Sequence, residues 1–143
     1  LAGLAIAAEL VGGIMLLFGL LTRLVTIPLM VTMLVAIFSV HWPNGWLAIA
    51  DASSWLADGT ILANTNVQSA PEKLAAAKAI LQEHGNYDWL TSSGKLVILN
   101  NGIEFAATYF VMLLVLFFSG GGRFVSLDYW FSRLIFKPFD TAK

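Results

Sequence analysis

The chain has 143 residues, a formal net charge of −1 and no cysteine, which excludes disulfides, thiolate zinc sites and redox thiols of its own, and offers no basic tract for nucleic acid. With 58% hydrophobic and only 12% charged residues, and a mean hydropathy of +0.78, it is more apolar than a soluble domain of this length needs.

Residues 1–21 and 24–41 are apolar stretches that meet at Thr22-Arg23, and a third, 96–118, returns after a polar middle. Each can cross ~30 Å of hydrocarbon at about 1.5 Å per helical residue, so the sequence predicts three transmembrane helices. A buried bundle of a soluble protein is the competing reading, but the polar sequence is too short to cover three such runs. Apolar sequence starts at Leu1 with neither a basic n-region nor a cleavage site, so a signal peptide is not indicated and a further span upstream is expected.

In the middle segment, 42–95, residues 51–68 are rich in Asp, Ser, Asn and Thr and read as loop. Ser69-Ala70-Pro71-Glu72 has capping-box spacing and predicts a helix over about 70–83 that ends at His84-Gly85-Asn86. Leu74, Ala77 and Leu81 give it a weak apolar stripe. After the third stretch, Gly120-Gly121-Gly122 breaks the chain, and Ser126 caps a predicted interfacial helix over about 126–136. Its Trp130, Phe131, Leu134 and Ile135 would enter lipid while Arg133 and Lys137 face headgroups.

Arg23, Arg123, Arg133, Lys137 and Lys143 fall on one side of this topology, which predicts a cytoplasmic C-terminus. The segment 42–95 carries Lys73, Lys78 and Lys95 against Asp51, Asp58, Glu72, Glu83 and Asp88, and is expected to be periplasmic. Trp42 and Trp46 suit an outer aromatic belt and Trp130 an inner one; Trp55 and Trp89 complete the set.

Ionisable groups inside the spans are the strongest functional signal, because a carboxylate in hydrocarbon must be protonated, paired or turned to water. Glu9 lies on a stripe of Ala2, Ala5, Gly12, Leu16 and Gly19, a small-residue face that points into a bundle. Glu104 shares a stripe with Asn101, Thr108 and Val111. At 1.5 Å per residue Glu9 would lie roughly 12 Å deep and Glu104 roughly 6–12 Å deep, so both carboxyls fit one layer of the outer leaflet. His41 ends the second span on the same side. One reading makes this a pocket in which Glu9 and Glu104 exchange protons and His41, Thr108 and Asn101 bind substrate. The other makes each Glu a group that merely orders the bundle. Arg23 and Asp128 are expected at the inner face, where an ion pair would tie the first hairpin to the terminal segment. Gly120-Gly121-Gly122-Arg123 lacks the ending of a phosphate loop, and His41 with His84 is too sparse for a metal centre.

The run Glu9-Leu10-Val11-Gly12-Gly13, then Gly19-Leu20-Leu21-Thr22-Arg23, Met33 with Ala36, His41, Asn101-Gly102-Ile103-Glu104, and finally Gly120-Gly121-Gly122-Arg123 through Ser126-Leu127-Asp128, together resemble the DoxX family of small bacterial membrane proteins. The resemblance covers about 1–41 and 99–130. It implies a four-helix membrane bundle, here without its first helix, in a bacterial inner membrane. It also implies structural roles for Gly12, Gly13, Thr22, Arg23, Gly120, Gly122, Ser126 and Asp128. The middle segment is longer than that family's usual connection, and Gly-Gly-Gly stands where Gly-Pro-Gly is frequent. The family name comes from a quinone-reducing thiosulfate oxidoreductase, so the resemblance implies a subunit of a quinone-linked membrane redox complex, with quinone as the cofactor and His41 on one of its carbonyls. The alternatives are a non-catalytic scaffold and, ranked last, a proton- or cation-coupled transport subunit. The partners expected are the lipid bilayer, a redox subunit, or a second copy of the chain.

Overall fold

The computed structural model describes residues 2–54, 64–123 and 126–135. Asp58, Trp55, Lys137 and Lys143 lie outside the described residues. The described chain is helical, in the order α1 (Ala2–Leu17), α2 (Thr22–Val35), α3 (Thr65–His84), α4 (Tyr87–Leu90), α5 (Glu104–Ser119) and α6 (Leu127–Ile135). After α2 the helix continues as a π-helical turn, Ala36–His41, and a 3-10 turn, Trp42–Asn44.

The run Thr22–Asn44, 23 residues that contain an 18-residue window of mean hydropathy 2.1, is long and apolar enough to cross a membrane. Gly3–Leu17 and Glu104–Ser119 are apolar but shorter, so among the described residues one helix, not three, meets the length expected of a span. The reasons are local. The first apolar stretch is cut by Gly19, whose φ of +60° is open to glycine at little steric cost. There Leu20 N–H donates to Met15 O at 2.8 Å and Gly19 N–H to Leu16 O at 3.0 Å, the paired bonds of a Schellman end. The third stretch is divided at Asn101, φ +57°, so that only its second half is helical and Leu99 instead forms an antiparallel bridge with Ile49.

The middle helix also departs from expectation. Asn64 caps it, its side chain accepting from Asn66 N at 2.8 Å, so α3 begins about five residues before the predicted start. Ser69 therefore lies inside α3, bonded to Asn66 O, and Pro71 is an interior proline. The predicted C-terminal stop is observed: Gly85 N–H donates to Leu81 O at 2.9 Å.

The chain divides into two units, Leu1–Val35 with Ala107–Lys143, and Ala36–Ala106. In the first, α1 packs on α2 where Gly12 meets Leu29; a Cβ on Gly12 would come within 3.1–3.2 Å of the Leu29 side chain. Val25, Leu29, Thr22 and Thr26 are buried here. Leu4, Leu10 and Leu17 of α1, Leu24, Val31 and Val35 of α2, and Met112, Val115 and Phe118 of α5 are exposed, so these helices present large apolar surfaces outward. In the second unit, Leu47, Ala48, Val67, Ala70 and Ile103 form the core, with Trp46 and Ala50 packed on it.

Candidate functional site

Two constellations collect the candidate residues, one in each unit. In the first unit, α2 needs acceptors for its first N–H groups, and Leu21, which stands at its N-cap, has no side-chain oxygen. Asp128, 107 residues later in the chain, supplies them: Oδ1 accepts from Leu21 N at 2.7 Å and Oδ2 from Thr22 N at 2.9 Å. The favour is returned at the end of α1. Leu127 N–H donates to Phe18 O, Asp128 N–H to Gly19 O, and the buried Ser126 hydroxyl to Gly19 O at 2.9 Å, so the open carbonyls of α1 satisfy the open amides of α6. A third helix end joins this cluster: Gly120, φ +73°, closes α5, and the Arg23 guanidinium donates to Phe118 O at 3.2 Å.

The expected ion pair between Arg23 and Asp128 is therefore absent among the described residues. Each charge sits instead at the helix end whose partial charge it complements, Asp128 at an N-terminus and Arg23 at a C-terminus. Ser126, expected to cap α6 from its own side chain, bonds across to α1. The cluster is tight as well as bonded. A Cβ on Gly19 would come to 2.8–2.9 Å of Ser126, and one on Gly121 to 2.7 Å of Thr22 Oγ1. A recess of about 290 Å³ beside it is lined by Leu21, Arg23, Leu24, Gly120, Gly121 and Asp128. Thr22 is buried with its hydroxyl unpartnered.

In the second unit the segment 44–50 runs along 98–104. Ala50 N–H donates to Ile98 O, Asn100 and Asn101 N–H to Ala48 O, Gly102 N–H to Leu47 O, Ile103 N–H to Gly45 O and Glu104 N–H to Trp46 O. The side chains complete it. Glu104 Oε2 accepts from Ala48 N at 2.9 Å, and Asn100 Nδ2 donates to both Asn44 O and Leu47 O at 2.7 Å. His41 Nδ1 lies 2.9 Å from Asn101 O, which also accepts from Asn44 Nδ2 at 3.1 Å. A carbonyl can only accept, so Nδ1 carries the proton and, in the neutral ring, Nε2 is left as an acceptor. A neutral ring held this way presents Nε2 as an acceptor, suited to a quinol hydroxyl rather than to a quinone carbonyl.

The structure thus brings His41, Asn101 and Glu104 into one constellation, although Asn101 acts through its carbonyl rather than its amide side chain. Glu104 opens α5 instead of lying a turn or two inside it, because the preceding residues, with Asn101 at φ +57°, are not helical. Thr108 is exposed on α5. Glu9 is exposed on α1 rather than turned inward, without a hydrogen-bond or ion-pair partner among the described residues, while Gly12 and Gly19 of the same stripe are buried. Gly13 has no neighbour within 4 Å of a would-be Cβ, so the close approach expected there is made by Gly12 alone; Gly122 also faces open space but has φ +79°. Sequence reasoning missed Asn44 and Asn100, and named Gly102 and Gly121 only as parts of motifs, without the close contacts they make. The adjacent amides and glycine of Asn100-Asn101-Gly102 were the available signal for a turn.

The DoxX family model matches residues 1–42, α1, α2 and the π-helical turn up to Trp42. This N-terminal part of the chain is DoxX-like, and it is the first of the two segments on which the resemblance rests. No curated protein and no solved structure gives a significant match to the chain.

Proposed function

We propose that this chain is a multi-pass DoxX-type protein of a bacterial inner membrane that serves as a subunit of a quinone-linked redox complex, with its C-terminus cytoplasmic and 42–95 periplasmic. The observation that carries the subunit reading is Glu9. It is an exposed carboxyl on a helix whose other exposed residues, Leu4, Ile6, Leu10, Val11 and Ile14, are apolar. In lipid such a carboxyl is protonated or meets a partner group, and a neighbouring helix, whether from the span expected upstream, another subunit or a second copy, is a natural complement. The exposed apolar residues of α2 and α5 and the family match over residues 1–42 support the membrane setting.

Quinone, when bound, would supply two-electron, two-proton chemistry. In this reading Glu9 exchanges protons at the subunit contact, while Glu104 exchanges protons from an orientation that the Ala48 amide fixes, and His41 offers Nε2 as an acceptor. A scaffold without redox chemistry is the second reading. It is favoured by the polar atoms of His41 and Glu104 that bond to backbone groups of their own unit. Mass spectrometry of the gently solubilised protein separates them. Stoichiometric quinone that is lost in Glu9→Gln supports the redox subunit; a partner retained without quinone supports the scaffold. Equal quinone retention in wild type and Glu9→Gln overturns the proton-exchange role.

A further inference from the structure

We propose that the cleft between Arg123 and α6 binds the phosphate of an anionic phospholipid headgroup. The proposal rests on the membrane reading above and adds a ligand to a part of the chain which that reading leaves without a task. The cleft, about 390 Å³, is lined by Arg123, Tyr129, Trp130 and Arg133. Among the described residues its charge is of one sign: two guanidinium groups and no carboxylate. Asp128, the acid nearest in sequence to its lining, has both oxygens engaged by the Leu21 and Thr22 amides.

The two arginines are exposed, and neither has a hydrogen-bond or ion-pair partner among the described residues. Their planar N–H forks are therefore free to grip an oxyanion in the bidentate manner that suits phosphate. Arg133 is also held in place, its guanidinium carbon 5.5 Å from the centroid of the Tyr129 ring, which in turn packs edge-on against Trp130 at 5.8 Å. A cation stacked on a ring face keeps its N–H edges outward, toward a ligand.

The same helix says which source of phosphate fits. Leu127, Trp130, Phe131 and Leu134 recur at helical spacing and are 38%, 52%, 50% and 69% exposed, an apolar stripe with no cover among the described residues. Buried in the acyl boundary of a bilayer, that stripe sets the cleft at headgroup depth, and Trp130 belongs to both surfaces. A free phosphate needs the arginines but not the stripe. The juxtaposition of the two points to a lipid, and the anionic lipids of the cytoplasmic leaflet complement the paired charge.

The test uses the full chain in nanodiscs of phosphatidylcholine with and without phosphatidylglycerol, with retained lipid read by native mass spectrometry. Recovery in carbonate-washed membranes, measured first, tests the membrane reading separately. The wild type is expected to retain phosphatidylglycerol in preference to phosphatidylcholine. Replacing both arginines, Arg123→Gln with Arg133→Gln, removes about fivefold per charge and should weaken that retention roughly 30-fold while leaving phosphatidylcholine unchanged. The double Lys variant keeps charge but loses the forks and should fall between. Equal retention of the two lipids by the wild type, an unchanged double Gln variant, or a Lys variant equal to wild type would each overturn the site. Displacement by millimolar inorganic phosphate would overturn the lipid as its occupant.

Discussion

Asp128→Ala is the most incisive perturbation of the helix-end cluster, because one carboxylate serves the N-terminus of a helix to which it is not connected locally. The substitution deletes two bonds, of 2.7 and 2.9 Å, to Leu21 and Thr22 amides. Hydrogen bonds to a charged group contribute about 1.5–3 kcal/mol each, and the Leu21 end lies low in that range because water reaches it. Thr22 is 2% exposed, so its amide has little access to a replacement. Allowing for the side-chain freedom regained, the loss should be about 3 kcal/mol, above most local caps, which are worth about 0.5–2 kcal/mol. For a chain of this size that is a fall in Tm of about 6–12 °C. Near-ultraviolet circular dichroism of the detergent-purified chain reads it, since Trp130 lies two residues away on α6. Asp128→Asn, with one acceptor oxygen, keeps one of the two bonds and should lose about half as much. A cooperative Asp128→Ala transition within about 2 °C of wild type would refute the assignment, as would an Asn variant as damaged as the Ala variant.

Gly102→Ala should be among the most disruptive single substitutions in the second unit, because its Cβ would press into the carbonyl oxygens of Leu47, Trp46 and Gly45. A loss of about 3 kcal/mol or more, seen as poor recovery of folded protein or a deep fall in Tm, is the expected outcome. Asn101, at φ +57°, contributes its carbonyl to His41 and Asn44. Asn101→Gly should therefore preserve stability to within about 1 kcal/mol, while Asn101→Val should cost about 1–2 kcal/mol through backbone strain, both measured by thermal unfolding. Asp51 accepts from the Ser53 hydroxyl at 2.6 Å and the Ser53 amide at 2.9 Å, which hold its carboxyl below the ordinary value. Because the folded value is the depressed one, this contribution to stability is present above the unfolded value and is lost as pH falls through the folded one. In an NMR titration Ser53→Ala should move the Asp51 midpoint upward, and an unmoved midpoint would contradict the bond.

Much of this chain could be read from periodicity and composition, because apolar run length, turn glycines and charge placement are local quantities. The helix stops at Gly85 and at Gly120 were legible from the turn residues there, and the amphipathic α6 from apolar residues three and four apart; the stop at Gly19, inside an unbroken apolar run, was not. The two carboxyls were identified as unusual for the same reason. The sequence determined that Glu9, Glu104, His41, Arg23 and Asp128 needed an explanation. It could not say which group each would meet, because a capping partner 107 residues away carries no local signature. Only the folded chain showed that Asp128 serves the amides of α2, that Arg23 closes α5, and that Asn101 acts through its backbone. Nor did apolarity alone show that 98–103 would be non-helical. The amides of 100–104 are satisfied by the carbonyls of 45–48, and that pairing, a property of the tertiary structure, outcompetes one further turn of helix.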